Sequence, residues 1–235
     1  MIRAYYELIK PRLGLMNVIV AAAVFVFASP QVINWEGFAT TLSGLAFVIA
    51  SASIFNNYID RHLDAKMERT KARGLVTGEV APVAALVLGG VFLCIGVILL
   101  RLVHPLTLGA ALLGFVVYIF LYTPLKQKTG YALYVGAVAG ATPTLVGYTA
   151  ATHRLDLVAL GLFLTLFLWQ IPHFLAIARF RYHEYAAGSV PLLVEEPKTK
   201  AEKARARKMF LYSLVGLVLF CAILIVARVA LATPV

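Results

Sequence analysis

The sequence predicts an all-α membrane protein, a polytopic bundle of seven transmembrane helices. Of the 235 residues, 61% are hydrophobic and only 14% are charged, and the mean hydropathy is +0.87. These values lie outside the range of soluble globular domains. The apolar residues form long runs, and the charged residues cluster between them. Because Cys94 and Cys221 lie far apart inside apolar runs, we expect neither a disulfide framework nor a thiolate metal site.

Seven segments are long and apolar enough to cross a bilayer as helices, which takes roughly 20 residues. Their connections are short, so we expect one integral-membrane domain over residues 1–235. The run 195–208, EEPKTKAEKARARK, is expected to be a solvated connector that touches anionic lipid head groups. The predicted spans are 12–29, 38–59, 81–102, 105–122, 131–151, 156–178 and 209–231.

The basic residues predict the orientation, because Lys and Arg concentrate in cytoplasmic loops. With seven spans, the N-terminus and the loops after the second, fourth and sixth spans share one side. That side carries every Lys and Arg except Arg101, Arg154 and Arg228. We therefore predict a cell-membrane protein with a cytoplasmic N-terminus and an external C-terminus. A net charge of +10 also suits nucleic-acid binding, but the confinement of the cations to one membrane face argues against it.

The stretch 56–78, NNYIDRHLDAKMERTKARGLVTG, combines carboxylates and cations at the end of an apolar segment. Asn56, Asp60 and Asp64 are spaced i, i+4 and i+8, so they share one face of a helix. Carboxylate and amide oxygens suit Mg²⁺, and Arg and Lys suit phosphate oxygens. A solvated loop is the alternative, but ionisable groups at the mouth of a membrane bundle are usually functional. The stretch is predicted to bind a metal–diphosphate unit, with cations Arg61, Lys66, Arg69, Lys71 and Arg73.

Two charged residues elsewhere emerge on the same predicted side. Lys126 follows the fourth span, where it could neutralise diphosphate charge. Glu184 is the other acid placed to join Asp60 and Asp64 around a metal, although it could equally be a solvated interfacial carboxylate.

The sixth span carries a polar triplet, Trp169, Gln170 and His173, beside Pro172. Gln170 and His173 are i, i+3 neighbours and are expected on one helix face. Such residues can tie helices together, but polar groups in a membrane helix more often line a cavity. We expect them to line a substrate pocket.

The sequence resembles the UbiA superfamily of intramembrane prenyltransferases, with matching stretches in the family's order. Within that superfamily it is most similar to the heme branch, the protoheme IX farnesyltransferases or heme o synthases, because WQIPHF is followed by EYAAGSVPLL. The family has nine membrane helices, so we expect this seven-helix chain to lack the counterparts of the last two. The stretches are KPR at 10–12, NNYIDRHLDAKMERTKAR at 56–73, YTPLKQKT at 122–129 and WQIPHFLAIARFRYHEYAAGSVPLL at 169–193.

The resemblance implies Mg²⁺-dependent transfer of the farnesyl group of farnesyl diphosphate to a vinyl group of heme b. The product would be heme o, made for terminal oxidases, with heme a synthase or the oxidase assembly as further partners. By position, the resemblance implies that Mg²⁺ and diphosphate are bound by Asn56, Asp60 and Asp64, with Glu184 as a further metal ligand. The diphosphate oxygens would be contacted by Arg69, Arg73 and Lys126. The acceptor pocket would be lined by Trp169, Gln170 and His173. Of these, Asp60, Asp64 and Lys126 are the predicted catalytic residues.

Two other functions remain open from the residues alone. The first is the same chemistry with an aromatic acid, a quinone precursor or a lipid glycerol phosphate as acceptor, because the Asp60 stretch does not distinguish acceptors. The second is a non-catalytic membrane subunit or small transporter, in which Asp60 would be dispensable.

Overall fold

The structure, a computed structural model, describes residues 2–232, with the side chains of 3–230. The predicted domain 1–235 also includes Met1 and residues 233–235, which lie outside the described residues. Within residues 2–232 the regular structure is helical, without strands. The elements in order are α1 (Ile2–Leu8), α2 (Pro11–Ala28), α3 (Trp35–Asp64), α4 (Gly74–Thr77), α5 (Pro82–Val103), α6 (Pro105–Val116), a π-helix (Val117–Tyr122), α7 (Thr123–Leu125), α8 (Ala132–Thr152), α9 (Leu157–Phe180), α10 (Tyr182–Ala187) and α11 (Lys200–Ala232).

The seven predicted spans correspond to seven long helical stretches, with α6, the π-helix and α7 forming one continuous stretch. In the part of the chain that the structure describes, six of them are long and apolar enough to cross a membrane. The seventh, α8, is not in that set; it is rich in Gly, Ala and Thr, which add little hydropathy. The all-α membrane bundle is confirmed, and the protein is a multi-pass membrane protein.

The start of α11 differs from the sequence prediction. The sequence predicts a solvated connector over 195–208, whereas α11 begins at Lys200. Thr199 Oγ1 accepts a hydrogen bond from the Glu202 amide at 3.1 Å, and the Glu202 carboxylate accepts one from the Lys198 amide at 3.2 Å. These bonds satisfy amides at the helix start in the manner of a capping box. Most of the run is exposed, as predicted, but the connector ends at Thr199 rather than at Lys208, because hydropathy does not detect charged turns that extend a membrane helix.

Small residues allow α8 to pack closely at the centre of the bundle, where it contacts α2, α3, α6 and α9. A Cβ atom on Gly147 would lie 2.3 Å from the backbone oxygen of Ala21 in α2. A Cβ atom on Gly140 would lie 2.1 Å from Oε1 of Gln170 in α9. Association of membrane helices depends on such close packing, so these glycines determine how near the neighbouring helices can approach.

Helices α3 and α5 form the most extensive helix pair of the bundle. A Cβ atom on Gly96 would lie 2.9 Å from the backbone oxygen of Gly44, and Ser51 Oγ donates to the backbone oxygen of Gly89 at 2.7 Å. This packing holds α3 firmly, and its C-terminal turns, which carry Asn56 to Asp64, are held in place with it.

Candidate active site

The C-terminal part of α3 presents a row of buried polar side chains. Asn56, Asp60 and Asp64 are 2%, 3% and 3% exposed. Their spacing places them on one face of α3, as the sequence predicts, and the Asn56 amide donates to Asp60 Oδ2 at 2.8 Å. Buried carboxylates need partners, because an unpaired buried charge is very costly. Each residue of the row is in fact bonded to a cation from a different segment of the chain.

Lys10 supplies the first of these cations, from the junction between α1 and α2. Its Nζ donates to Asn56 Oδ1 at 2.5 Å, and its backbone adopts the left-handed conformation, with φ 47°. Burial lowers the pKa of Lys10 to about 7, and the nearby charges of Arg73 and Lys126 act in the same direction. Asp60 and Asp64 oppose the shift. Lys10 belongs to the KPR stretch at 10–12, and the structure places its ammonium group beside Asn56.

Arg73 supplies the second cation, because the segment after α3 folds back over the end of that helix. The hydroxyl of the buried Thr70 donates to the backbone oxygen of Asp64 at 2.9 Å, which fixes the fold-back. Arg73 Nη1 then reaches Asp64 Oδ2 at 2.5 Å and Asn57 Oδ1 at 3.1 Å. Arg73 therefore lies in the predicted site.

Lys126 supplies the third cation and forms an ion pair with Asp60 Oδ2. It follows the π-helix, whose wider turns change the direction in which the next residues project. The buried Thr123 donates to the backbone oxygen of Tyr118 at 2.7 Å and accepts from the Asn56 amide at 3.1 Å. This hydrogen bond ties the turn that carries Lys126 to the α3 row.

The charges of this cluster favour an anionic ligand. Two carboxylates face three cations, Lys10, Arg73 and Lys126, in a largely buried setting. The buried oxygens of the α3 row are the type that Mg²⁺ prefers, and Mg²⁺ is commonly held by one or two carboxylates plus substrate phosphates. The donor set therefore fits that ion. Among residues 2–232, however, no group of three or more His, Cys, Asp and Glu side chains is placed to hold a metal by itself.

Glu184, on α10, is engaged by two arginines. Its carboxylate pairs with Arg69 Nε at 3.2 Å and with Arg181 Nη1 at 3.1 Å. The predicted diphosphate ligand Arg69 is thereby held next to α10. For Glu184 to bind a metal with Asp60 and Asp64, as the sequence predicts, it would have to leave these ion pairs. Tyr185 follows it, and burial raises the pKa of its hydroxyl, with Tyr122, Arg69 and Lys126 as charged or ionisable neighbours.

The polar triplet of α9 contacts two different helices. Gln170 is 5% exposed and its amide donates to the backbone oxygen of Ala137 in α8 at 3.4 Å. Trp169 and His173 instead both bind Ser213 of α11. Gln170 and His173 are predicted to lie on one face of the helix, but they bind different neighbouring helices, α8 and α11. Trp169 and His173 stack with 4.9 Å between ring centroids, which makes them one unit.

The sequence does not predict two contributors to the α3 cluster, Lys10 and Thr123, or the contact of Ser213 with the α9 triplet. The KPR stretch at 10–12 was the available signal for Lys10. Thr123 and Ser213 are ordinary polar residues whose partners lie 67 and 40 residues away in the chain. No periodicity within one segment reveals such pairs.

The fold and site together define a class: a multi-pass helical membrane protein with a buried carboxylate row ringed by cations. The chain belongs to the UbiA prenyltransferase family, whose model matches residues 17–235. It is similar to curated relatives named protoheme IX farnesyltransferase. One from Yersinia enterocolitica is 40% identical over 82% of this chain and 66% of its own length. One from Protochlamydia amoebophila is 39% identical over 92% and 75%, and one from Chromohalobacter salexigens is 42% identical over 86% and 70%.

The chain thus spans about two thirds to three quarters of the length of these relatives. Solved structures share its fold. A UbiA homolog from Archaeoglobus fulgidus, bound to GPP and Mg²⁺, has a TM-score of 0.74 at 14% identity and covers 97% of this chain and 99% of its own. A digeranylgeranylglyceryl phosphate synthase structure has a TM-score of 0.69 at 16% identity, covering 98% of this chain and 87% of its own.

Proposed function

We propose that the protein transfers the farnesyl group of farnesyl diphosphate to a vinyl group of heme b, forming heme o. The observation that carries the donor half is the α3 row, in which Asn56, Asp60 and Asp64 are each bonded to a cation. The relatives named protoheme IX farnesyltransferase, about 40% identical over most of the chain, support the choice of substrates.

Activation of the prenyl donor would follow if the three cations changed partners, from the oxygens of the α3 row to those of the diphosphate. Lys10, Arg73 and Lys126 now neutralise oxygens of the α3 row. When a diphosphate enters, these cations can turn to its oxygens and release the oxygens of the row. Asn56, Asp60 and Asp64 would then hold Mg²⁺, which supplies further neutralisation of the charge on the diphosphate. Preorganised cations stabilise the charge that grows on the leaving group as its bond to carbon breaks.

The reaction needs no nucleophile from the protein. The bond between farnesyl C1 and the diphosphate oxygen breaks, and the terminal vinyl carbon of heme b forms the new carbon–carbon bond. Water adds to the cation left on the former vinyl group and loses a proton, which leaves the hydroxyl. Farnesyl diphosphate, heme b and water thus give heme o, diphosphate and a proton. The apolar bundle excludes other water from the farnesyl cation.

The acceptor half rests on α9. Trp169, Gln170 and His173 lie in a helix of the bundle and combine aromatic surface with polar groups. We propose that they contact heme b. Glu184 would keep Arg69 close to the diphosphate through its ion pair.

We propose that the site faces the cytoplasm of a cell membrane, since nearly all Lys and Arg residues lie on that predicted side. Heme o would then pass to heme a synthase or to a terminal oxidase during assembly.

An acceptor competition in membranes tests this function. Membranes containing the protein receive isotopically labelled farnesyl diphosphate, Mg²⁺ and either heme b, an aromatic acid or a lipid glycerol phosphate. We expect label only in a heme product that is absent from control membranes. Label in either other acceptor, with none in heme, would contradict the proposed acceptor and leave the prenyl-transfer class intact.

A further inference from the structure

Ser213, in α11, binds both aromatic residues of the α9 triplet. Trp169 Nε1 donates to the Ser213 backbone oxygen at 3.1 Å, and His173 Nδ1 lies 2.7 Å from Ser213 Oγ. One residue of a neighbouring helix therefore holds two side chains of the proposed acceptor site. Ser213 is itself partly buried.

The hydrogen bonds around Ser213 determine which nitrogen of His173 carries the proton. Ser213 Oγ donates its single hydrogen to the backbone oxygen of Phe210 at 2.6 Å. In the contact with His173 the hydroxyl must therefore accept, and Nδ1 of the imidazole must donate. A neutral imidazole with its proton on Nδ1 has an unshared electron pair on Nε2.

The Nε2 atom of His173 is also free to meet a ligand. It has no hydrogen-bond partner among residues 2–232, and no buried side-chain nitrogen or oxygen in that range lacks one. Nε2 is consequently accessible rather than sealed in the core. The ring is held in place by stacking on Trp169 at 4.9 Å and by Phe210, whose ring centroid is 5.1 Å away.

We infer that Ser213 is a positioning residue that fixes His173 in its Nδ1–H form, so that Nε2 coordinates the iron of heme b. The inference rests on the proposed function, which makes heme b the acceptor substrate. It follows a common arrangement, in which a metal-binding histidine donates its other N–H to an oxygen that fixes the tautomer and ring orientation. Iron coordination would hold the heme ring against the Trp169 side chain while its vinyl group reacts.

Heme titration without farnesyl diphosphate tests the inference separately from catalysis. The purified chain in lipid nanodiscs is titrated with ferric heme b, and affinity and absorption spectrum are recorded for the wild type, Ser213→Ala, Ser213→Thr and His173→Ala. We expect Ser213→Ala to weaken heme binding roughly 10- to 100-fold, in the range typical for loss of such outer partners. Ser213→Thr keeps the hydroxyl and should restore both affinity and the histidine-ligated spectrum.

Two further variants separate positioning from general stability. Ser51→Ala removes another serine hydroxyl that donates to a backbone oxygen of a neighbouring helix, and it should leave heme binding unchanged. In the His173→Ala background, Ser213→Ala should add no further loss, because the two residues act through one bond. A Ser213→Ala protein that is less stable but binds heme with wild-type affinity and spectrum would overturn the inference.

The outcomes distinguish this inference from the proposed function. Heme o formation with a heme spectrum insensitive to His173 and Ser213 would overturn the inference alone. Heme binding that depends on both residues, without any heme o formation, would overturn the proposed function alone. Absence of both heme binding and product would overturn both.

Discussion

Among the single residues of the candidate site, basic groups outnumber carboxylates, which favours an anionic ligand. Asp60 and Asp64 carry two negative charges, while Lys10, Arg73 and Lys126 provide three cations. A diphosphate adds negative charge among these cations, and a divalent metal compensates for the remainder. The side chains form an ion-pair cluster, and we propose that they become separate metal and phosphate ligands when substrate binds.

Lys10 should contribute directly to binding of farnesyl diphosphate. Lys10→Ala removes a cation that lies in hydrogen-bond contact with the α3 row, so KM for farnesyl diphosphate should rise roughly 10- to 100-fold, as expected for a charged hydrogen bond. Steady-state kinetics measure this change. Arg12→Ala is the matched control, because Arg12 is exposed two residues away and should leave KM unchanged.

The Lys10 contribution should also depend on pH. Burial and the neighbouring Arg73 and Lys126 lower its pKa to about 7, so its charge is lost as the pH rises through that value. The ratio of wild-type to Lys10→Ala affinity should therefore be larger at pH 6 than at pH 8. A ratio that is constant over this interval would contradict the account of Lys10.

Some contacts of these residues can be predicted from the sequence and others cannot. The Asn56, Asp60 and Asp64 row is predictable because helical periodicity alone puts these residues on one face. The pairing of Lys10 with Asn56 is not, because it joins residues 46 positions apart through packing of α1 and α2 against α3. The sequence also does not predict that Gln170 and His173 bind different helices, because these contacts depend on how distant helices pack.

At the scale of elements, close contacts of α8 control the geometry of the bundle. Gly147→Ala would place a methyl group 2.3 Å from the Ala21 backbone oxygen, which cannot rotate away. Overpacking of this kind costs about 1–3 kcal/mol, so thermal unfolding in detergent should begin several degrees lower.

Gly109→Ala in α6 is the matched control, because no atom lies within 4 Å of the added methyl group. It should unfold at the wild-type temperature or slightly above, since Ala favours helix over Gly. If the two variants unfolded at the same temperature, the proposed close packing of Gly147 against α2 would be contradicted.

The elements divide into those the sequence predicts and those it does not. Long apolar runs predict the spans because burial in lipid requires them. The first turns of α11 escape that criterion because they are charged, although Thr199 and Glu202 carry a capping signal. The π-helix at Val117–Tyr122 escapes it too, because its extra backbone width leaves no mark on hydropathy.

At the scale of the whole molecule, the cations predict which side faces the cytoplasm. We expect a cysteine placed at Lys71 to be shielded from a membrane-impermeant thiol reagent in intact cells, and one placed at Leu155 to react. Both residues are exposed on connections at opposite ends of the bundle. The background would carry Cys94→Ser and Cys221→Ser, and cell lysis should make the Lys71 site reactive. If the reagent labelled the cysteine at position 71 but not the one at position 155 in intact cells, the predicted orientation would be wrong.

We propose above that the α3 row and its cations activate a prenyl diphosphate for transfer to heme b. The most direct measurement is the mass of the heme product formed by the purified chain from heme b, farnesyl diphosphate and Mg²⁺. We predict the mass of heme o with the wild type and with Glu36→Gln, an exposed acid at the opposite end of α3. Asp60→Asn should lower the rate about 100-fold or more, as should omission of Mg²⁺. Wild-type rates of heme o formation by an Asp60→Asn, Asp64→Asn double variant would show that the α3 row does not activate the diphosphate.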